Sequence, residues 1–168
     1  AVLSEREWRE FFLPPFQGSA DAGVTGFMCS YSSITLTDNL GKSHNTPSCA
    51  NEYLLTDIIR KEWNWTGYIL SDAGATAFIA NTTITPGKWH DECPDCIFGH
   101  GYAANSSDAA IKAISSGMDL ELTCCGAPEV FPSLSGSVRS GKLAEAVVDR
   151  SLKRTLPYRF EIGQLDPP

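Results

Sequence analysis

No apolar run in the chain approaches the roughly 20 residues that a helix needs to cross a bilayer, so no membrane-spanning helix is expected. Basic residues are the minority, 13 Lys and Arg against 20 Asp and Glu, for a formal charge of -7. No basic stripe offsets that balance, which argues against a nucleic-acid partner. Arg150, Lys153 and Arg154 do cluster, but near the end of an expected helix, where they complement its dipole. A basic leader ending in a small-residue cleavage site is also missing, so the chain reads as mature material or an internal piece.

What is there describes an ordinary folded chain. Its 168 residues allow one domain with a sizeable core, and 42% apolar with 20% charged residues fit that class. Six cysteines are a moderately high load, and three N-glycosylation sequons accompany them, at Asn64, Asn81 and Asn105. An even cysteine count together with sequons favours an oxidising setting. The expectation is a secreted, extracellular or vacuolar glycoprotein with disulfide bonds.

Residues 4 to 22 read as a helix. Ser4 and Glu7 form a capping-box pattern. Trp8, Phe11 and Phe12 supply an apolar side, Pro14-Pro15 interrupts it and Gly23 stops it. Val24 to Tyr31 is a strand. Residues 32 to 50 form a long polar connection, longer than loops run without a functional or covalent reason. Cys29 and Cys49 bracket it and are expected to pair. Closing a loop of about 20 residues contributes roughly 3 kcal/mol on the chain-entropy estimate. Leu54, Leu55, Ile58 and Ile59 then recur at helical spacing behind a cap at Asn51. Trp63 and Trp65 lead into the next strand and suit packing of that turn better than a sugar platform.

Residues 76 to 104 are the least regular. Within them His90, Cys93, Cys96 and His100 invite a zinc site or thiol exchange. Two histidines around one cysteine pair are half a zinc signature, so structural bridges are preferred and no metal or cofactor is expected. A Cys93–Cys96 bond would close a small ring, which makes Cys124 or Cys125 the easier partner for at least one of them. A helix capped by Ser106 or Ser107 carries Ala109, Ala110, Ala113 and Ile114 on one face, and Gly117 ends it. Met118 to Leu122 follows as a strand with Asp119 and Glu121 on one side. Val138 to Leu156 is the last helix, marked off by Pro157. That leaves residues 157–168 as an irregular tail behind a domain of residues 1–156. Strands alternating with helices make the chain α/β.

One stretch, Trp65 to Ala75, organises the rest. Gly67 closes a turn, Tyr68-Ile69-Leu70 is long enough for a buried strand, and Ser71 and Asp72 stand just past its carboxyl end. In sheets whose strands alternate with helices, ligands bind at that end. By pattern alone, such an aspartate is more often a turn or cap residue.

This stretch, with Gly26-Phe-Met-Cys-Ser-Tyr31, Pro47-Ser-Cys-Ala-Asn51 and Gly117-Met-Asp-Leu-Glu121, resembles the barrel domain of glycoside hydrolase family 3, in its beta-xylosidase-like branch. Ser4-Glu5, Leu13-Pro14-Pro15-Phe16 and Arg159 to Gly163 resemble the same proteins in the same order. The likeness covers nearly the whole chain, as the C-terminal half of that domain. It implies a partial TIM-barrel-like fold, a half-barrel of alternating strands and helices, in the lineage of retaining beta-xylosidases and beta-glucosidases.

Asp72 then stands where the family motif carries its nucleophile. Tyr31, Ser71, Asp119 and Glu121 stand where the resemblance places a sugar subsite, although a salt bridge or cap is an equal claim on one of the acids. The family's proton donor has no match in these residues, and neither has the preceding half of the barrel. The chain also departs from the family at Ser32, where Asn is usual, and at Ala73, where the branch usually has Cys. The resemblance implies a beta-linked glycoside or sugar ligand. It also implies a chain inactive by itself, completed as a homo-oligomer or by complementary chains of one precursor. The alternative is a non-catalytic secreted structural, storage or carbohydrate-binding protein built on the same fold.

Overall fold

The computed structural model describes residues 2–37, 43–83, 97–123 and 128–166. The cysteines Cys93, Cys96, Cys124 and Cys125 lie outside the described residues, as does His90.

Strand β1 (Val2–Ser4) runs directly into helix α1 (Glu5–Glu7). The capping box forms: Glu7 N–H donates to Ser4 Oγ at 3.2 Å, and Ser4 N–H donates to Glu7 Oε2 at 2.9 Å. A turn with the wider π winding, Trp8–Phe12, follows, closed by Leu13 N–H on the Trp8 carbonyl at 2.9 Å. Pro14-Pro15 does not simply interrupt a helix, as the sequence had suggested. The pair opens a new one, α2 (Pro14–Asp21), because the first positions of a helix have no intrahelical use for an N–H.

Strand β2 (Gly26–Cys29) leads into the segment expected to be a loop. It is instead a hairpin of β3 (Ser33–Thr37) and β4 (Ser43–Pro47), antiparallel to each other, with β3 also parallel to β1. Ile34 and Leu36 alternate with Thr35 and Thr37, a short period-two pattern inside a polar sequence. Leu36 is buried in a small core with Trp8, Leu13 and Ile58.

The helix Tyr53–Glu62 is π-wound, and Asn51 caps it as expected, its Oδ1 accepting from Leu54 N–H at 3.1 Å. Leu55, Ile58 and Ile59 face inward. The chain then reverses through Trp65, whose Nε1 donates to the Val24 carbonyl at 2.9 Å while its ring packs on Phe27 at 4.6 Å. Gly67 is required at this crossing, since a Cβ there would stand 2.4 Å from the Thr25 carbonyl oxygen.

Strand β5 (Tyr68–Ser71) lies parallel to β2 in a four-pair register, Gly26 opposite Tyr68 and Cys29 opposite Ser71. On its other side the segment 118–122 joins through a single parallel bridge, Leu120 to Leu70. Asp119 N–H and Leu120 N–H both reach the Ile69 carbonyl, and Ser71 N–H reaches the Leu120 carbonyl. The expected strand is therefore one bridge long.

Between them run a 3-10 turn, Ala77–Ile79, and the antiparallel pair β6 (Asn81–Thr83) and β7 (Ile97–Gly99). Helix α3 (Ser106–Ser116) comes next. Its cap is Asn105 rather than either serine, with Asn105 Oδ1 accepting from Asp108 N–H at 3.0 Å. Gly117, at φ 117°, ends it in the left-handed region as a C-terminal glycine should.

The last helix of the sequence reading is two helices, α4 (Leu134–Arg139) and α5 (Glu145–Glu161), separated at Gly141. Pro157 lies inside α5 and does not end it. The ring of Tyr158 packs edge-on against Tyr68 at 5.5 Å, and this contact holds the turn beyond the proline against the sheet. The main core gathers Leu55, Ile59, Ile69, Ile79, Ala109, Ala113 and Met118 between the parallel strands and the helices. Full burial of each large side chain contributes about 1.5–3 kcal/mol.

Candidate functional site

The site is built where β2 and β5 end. Asp72, half-buried, follows the last paired residue of β5 and is fixed from three sides. Its N–H donates to the Cys29 carbonyl at 2.9 Å, which ties it to the end of β2. Its carbonyl accepts from Ala75 N–H at 3.0 Å, closing a tight turn through Gly74, at φ 80°. Its Oδ1 accepts from Ala73 N–H at 2.7 Å. Among the described residues no cation pairs with the carboxylate, and Oδ2 carries no bond. The side chain is thus aimed by its own backbone, with one oxygen unengaged among the described residues.

The neighbouring groups hold that turn. Tyr31 Oη donates to the Ala73 carbonyl, and the Tyr31 ring packs on Phe78 at 5.5 Å. The Tyr31 carbonyl lies 2.7 Å from His100 Nε2, so His100 braces the end of β2. The Cys29–Cys49 disulfide forms as expected, with Cα atoms 5.2 Å apart and both residues buried. It fastens the residue whose carbonyl holds Asp72 to the turn Ser48–Ala50.

Ser71 is fully buried. Its hydroxyl accepts from Leu122 N–H at 2.9 Å, and Gly74 N–H reaches the Leu122 carbonyl at 2.8 Å. Ser71 therefore stitches β5 to the 118–122 segment. The structure brings Tyr31, Ser71 and Asp72 together at one end of the strands.

The two acids of that segment part company. Asp119 lies across from Ile69, towards the entry of β5, and its side chain is 1% exposed. Its Oδ2 accepts from Arg60 at 2.5 Å and from Ile69 N–H at 2.9 Å, and its Oδ1 accepts from Arg154 at 3.2 Å. Burial pushes the Asp119 carboxyl above the usual aspartate range, against the pull of Arg60 and Arg154. Burial likewise pulls the Arg60 guanidinium down to about 10, against the attraction of Asp119. Glu121 is half-buried and accepts from the N–H groups of Val130 and Phe131, at 3.0 and 2.8 Å, where a 3-10 turn begins. Burial is the largest influence on Glu121 and raises its pKa. One acid is a salt bridge and the other a cap.

Nothing in the sequence marks Arg60 and Arg154 as partners of Asp119. They lie 59 and 35 residues from it, so no local pattern links them.

These residues have recognisable relatives. Residues 2–157 match the glycosyl hydrolase family 3 N terminal domain. The chain belongs to that family. It is 31% identical to a probable exo-1,4-beta-xylosidase of Aspergillus terreus over 99% of its own length and 18% of that protein's. It is 30% identical to a xylan 1,4-beta-xylosidase of Xylanibacter ruminicola, over 99% of its length and 16% of the relative's. Among solved structures it resembles the beta-glucosidase of Listeria innocua in complex with glucose, with a TM-score of 0.70 and 25% identity, over 100% of this chain and 19% of that one. This member of glycosyl hydrolase family 3 therefore spans less than a fifth of these relatives.

Proposed function

We propose that the chain supplies the nucleophile-bearing part of a retaining glycosidase acting on beta-linked xylosides or glucosides. The observation that carries this reading is Asp72, set at the carboxyl end of β5 with Oδ2 unengaged among the described residues, in a chain of this family. In the reaction Asp72 Oδ2 bonds to the anomeric carbon as the glycosidic C–O bond breaks, and the leaving oxygen takes a proton from a second carboxylic acid. Water, deprotonated by that same second group, then releases the sugar and restores Asp72.

A retaining pair needs carboxyl groups about 5–5.5 Å apart. Asp119 and Glu121 have their oxygens occupied by Arg60, Arg154 and backbone N–H groups, so the proton donor is assigned to a complementary part. Tyr31 and Ser71 act by holding the Asp72 turn, and Glu121 shapes the rim through residues 130 and 131.

The fold is read as half of a TIM-barrel-like domain, its C-terminal half, which needs more strands to close. Two features support this. Strand β2 pairs on one side with β5, and no other described strand covers its second edge. Phe12, Phe16 and Met28 are more than half exposed around an apolar cavity of about 230 Å³ that is lined by residues of β2 and by Ile69 of β5. We assign this face to the complementary strands, from a second copy or from other chains of one precursor, in a secreted or vacuolar particle.

The test is the native mass of the particle, with its subunits then identified after denaturation. Additional chains carrying the missing strands and an acid domain support the reading. Asp72→Asn in that particle is then expected to lower aryl beta-xyloside turnover at least about 1,000-fold. A lone 18.2 kDa chain without turnover would overturn it in favour of a non-catalytic structural, storage or sugar-binding derivative.

A further inference from the structure

We propose that Asn64 is an N-glycan attachment site, held in a turn that leaves its side chain free for the modification. The chain has three sequons, and the structure treats them differently. Asn105 is engaged: its Oδ1 caps α3 on Asp108 N–H at 3.0 Å. The hydroxyl of its third residue, Ser107, shares a bond with Ser137 Oγ at 3.2 Å. Asn81 begins β6 and is paired in register with Gly99.

Asn64 is different on every count. It lies at the reversal between the helix Tyr53–Glu62 and β5, in the left-handed region at φ 52°, which asparagine tolerates better than other non-glycine residues. Asn64 and Thr66 are both exposed, and neither side chain is bonded to another described residue. Trp65 between them points inward, 8% exposed and anchored by its Nε1 on the Val24 carbonyl. The buried middle residue therefore presents both recognition side chains outward from a fixed turn. A glycan there costs no cap, no pair and no core contact.

The position also suits the reading of Asp72. Asn64 precedes β5 and Asp72 follows it, so the strand Tyr68–Ser71 separates the two. A glycan at the entry of β5 leaves the carboxyl end open. The step balances as a group transfer from a lipid-pyrophosphate oligosaccharide. The Asn64 amide nitrogen bonds to the sugar's C1, the C1–O bond to the pyrophosphate breaks, the lipid pyrophosphate departs, and the amide proton passes to a base of the transferase.

The full chain, secreted from a eukaryotic host behind an added leader, tests this by glycopeptide mass spectrometry. The expected result is an oligosaccharide on the Asn64 peptide, with aspartate left at position 64 after amide-glycosidase treatment. Thr66→Ala should remove it without altering the Asn64 backbone, and Asn64→Gln should do the same. Persistence of the Cys29–Cys49 bond in both variants shows that they folded. An unmodified Asn64 peptide overturns the proposal, as does a glycan found only at Asn81 or Asn105. Occupancy is read by mass, so either outcome leaves the assignment of Asp72 untouched.

Discussion

The Tyr31 hydroxyl donates a hydrogen bond to the carbonyl of Ala73, the residue that follows Asp72. The aromatic side chain after β2 thus fixes the backbone that aims the carboxylate after β5. Tyr31→Phe keeps the ring on Phe78 and removes the hydroxyl that bonds the Ala73 carbonyl. Its stability is expected to fall by about 0.5–1.5 kcal/mol, read as a lower urea midpoint with unchanged slope. On the proposed reading of Asp72 as the nucleophile, the same variant in a completed particle should lose kcat with little change in KM, because Tyr31 holds the Asp72 turn. A loss confined to KM would instead place Tyr31 on the sugar.

The Asp119 pair is the second target. Arg60 and Arg154 both address one carboxylate that is almost wholly buried. Asp119→Ala leaves two guanidinium groups facing each other and frees Ile69 N–H. The expected cost is about 3–5 kcal/mol, the range for breaking a buried pair on one side. Arg154→Ala should cost less, since Arg60 remains to balance the charge and Arg154 is more exposed. Denaturant unfolding of the two variants checks the order, and equal losses would refute it.

Reduction of Cys29–Cys49 reaches the site through the backbone. The bond closes a separation of 20 residues, and its removal is expected to cost about 3 kcal/mol. Because the Cys29 carbonyl receives Asp72 N–H, amide exchange at Asp72 should accelerate together with exchange in the hairpin β3–β4. Paired Cys29→Ala and Cys49→Ala substitutions reproduce the effect without reductant. Protection at Asp72 that survives in both cases would uncouple the disulfide from the site.

Acid should loosen the start of α3. The side-chain bond from Lys112 holds the Asp108 carboxyl below the usual range, helped by Ala104 N–H. A carboxyl whose folded pKa is depressed contributes stability that is present above its unfolded pKa, about 3.9. That stability is lost as pH falls through the folded value. Asp108→Asn is therefore expected to cost a few tenths to about 1 kcal/mol at neutral pH, with the gap to the parent closing in acid. Paired unfolding curves at pH 7 and pH 3 measure it, and a gap that widened in acid would reverse the assignment.

Most of what lies within one helix turn or one strand was legible beforehand. The Ser4–Glu7 capping box, the Asn51 cap, the inward stripe of Leu55, Ile58 and Ile59, and the strand before Asp72 all follow from spacing. Each is decided by residues three or four apart or, for the strand, by a short apolar run. The Cys29–Cys49 bond was equally visible as a bracket around a long polar segment. The order of Ser71, Asp72 and Tyr31 within their motifs marked one end of the sheet in advance.

What only the tertiary structure decided depends on partners distant in sequence. The hairpin β3–β4 has few apolar residues to mark it, and its parallel partner β1 lies about 30 residues earlier. Pro157 reads as a stop in the sequence, yet α5 continues past it, with Tyr158 packed on Tyr68. Asn105 displaced the two serines as a cap because the helix backbone presented its N–H groups there. Asp119 looked like a rim acid until Arg60 and Arg154 met it in the interior. Local pattern sets which face a side chain takes; which charge it meets, and whether water reaches it, depends on how distant elements pack.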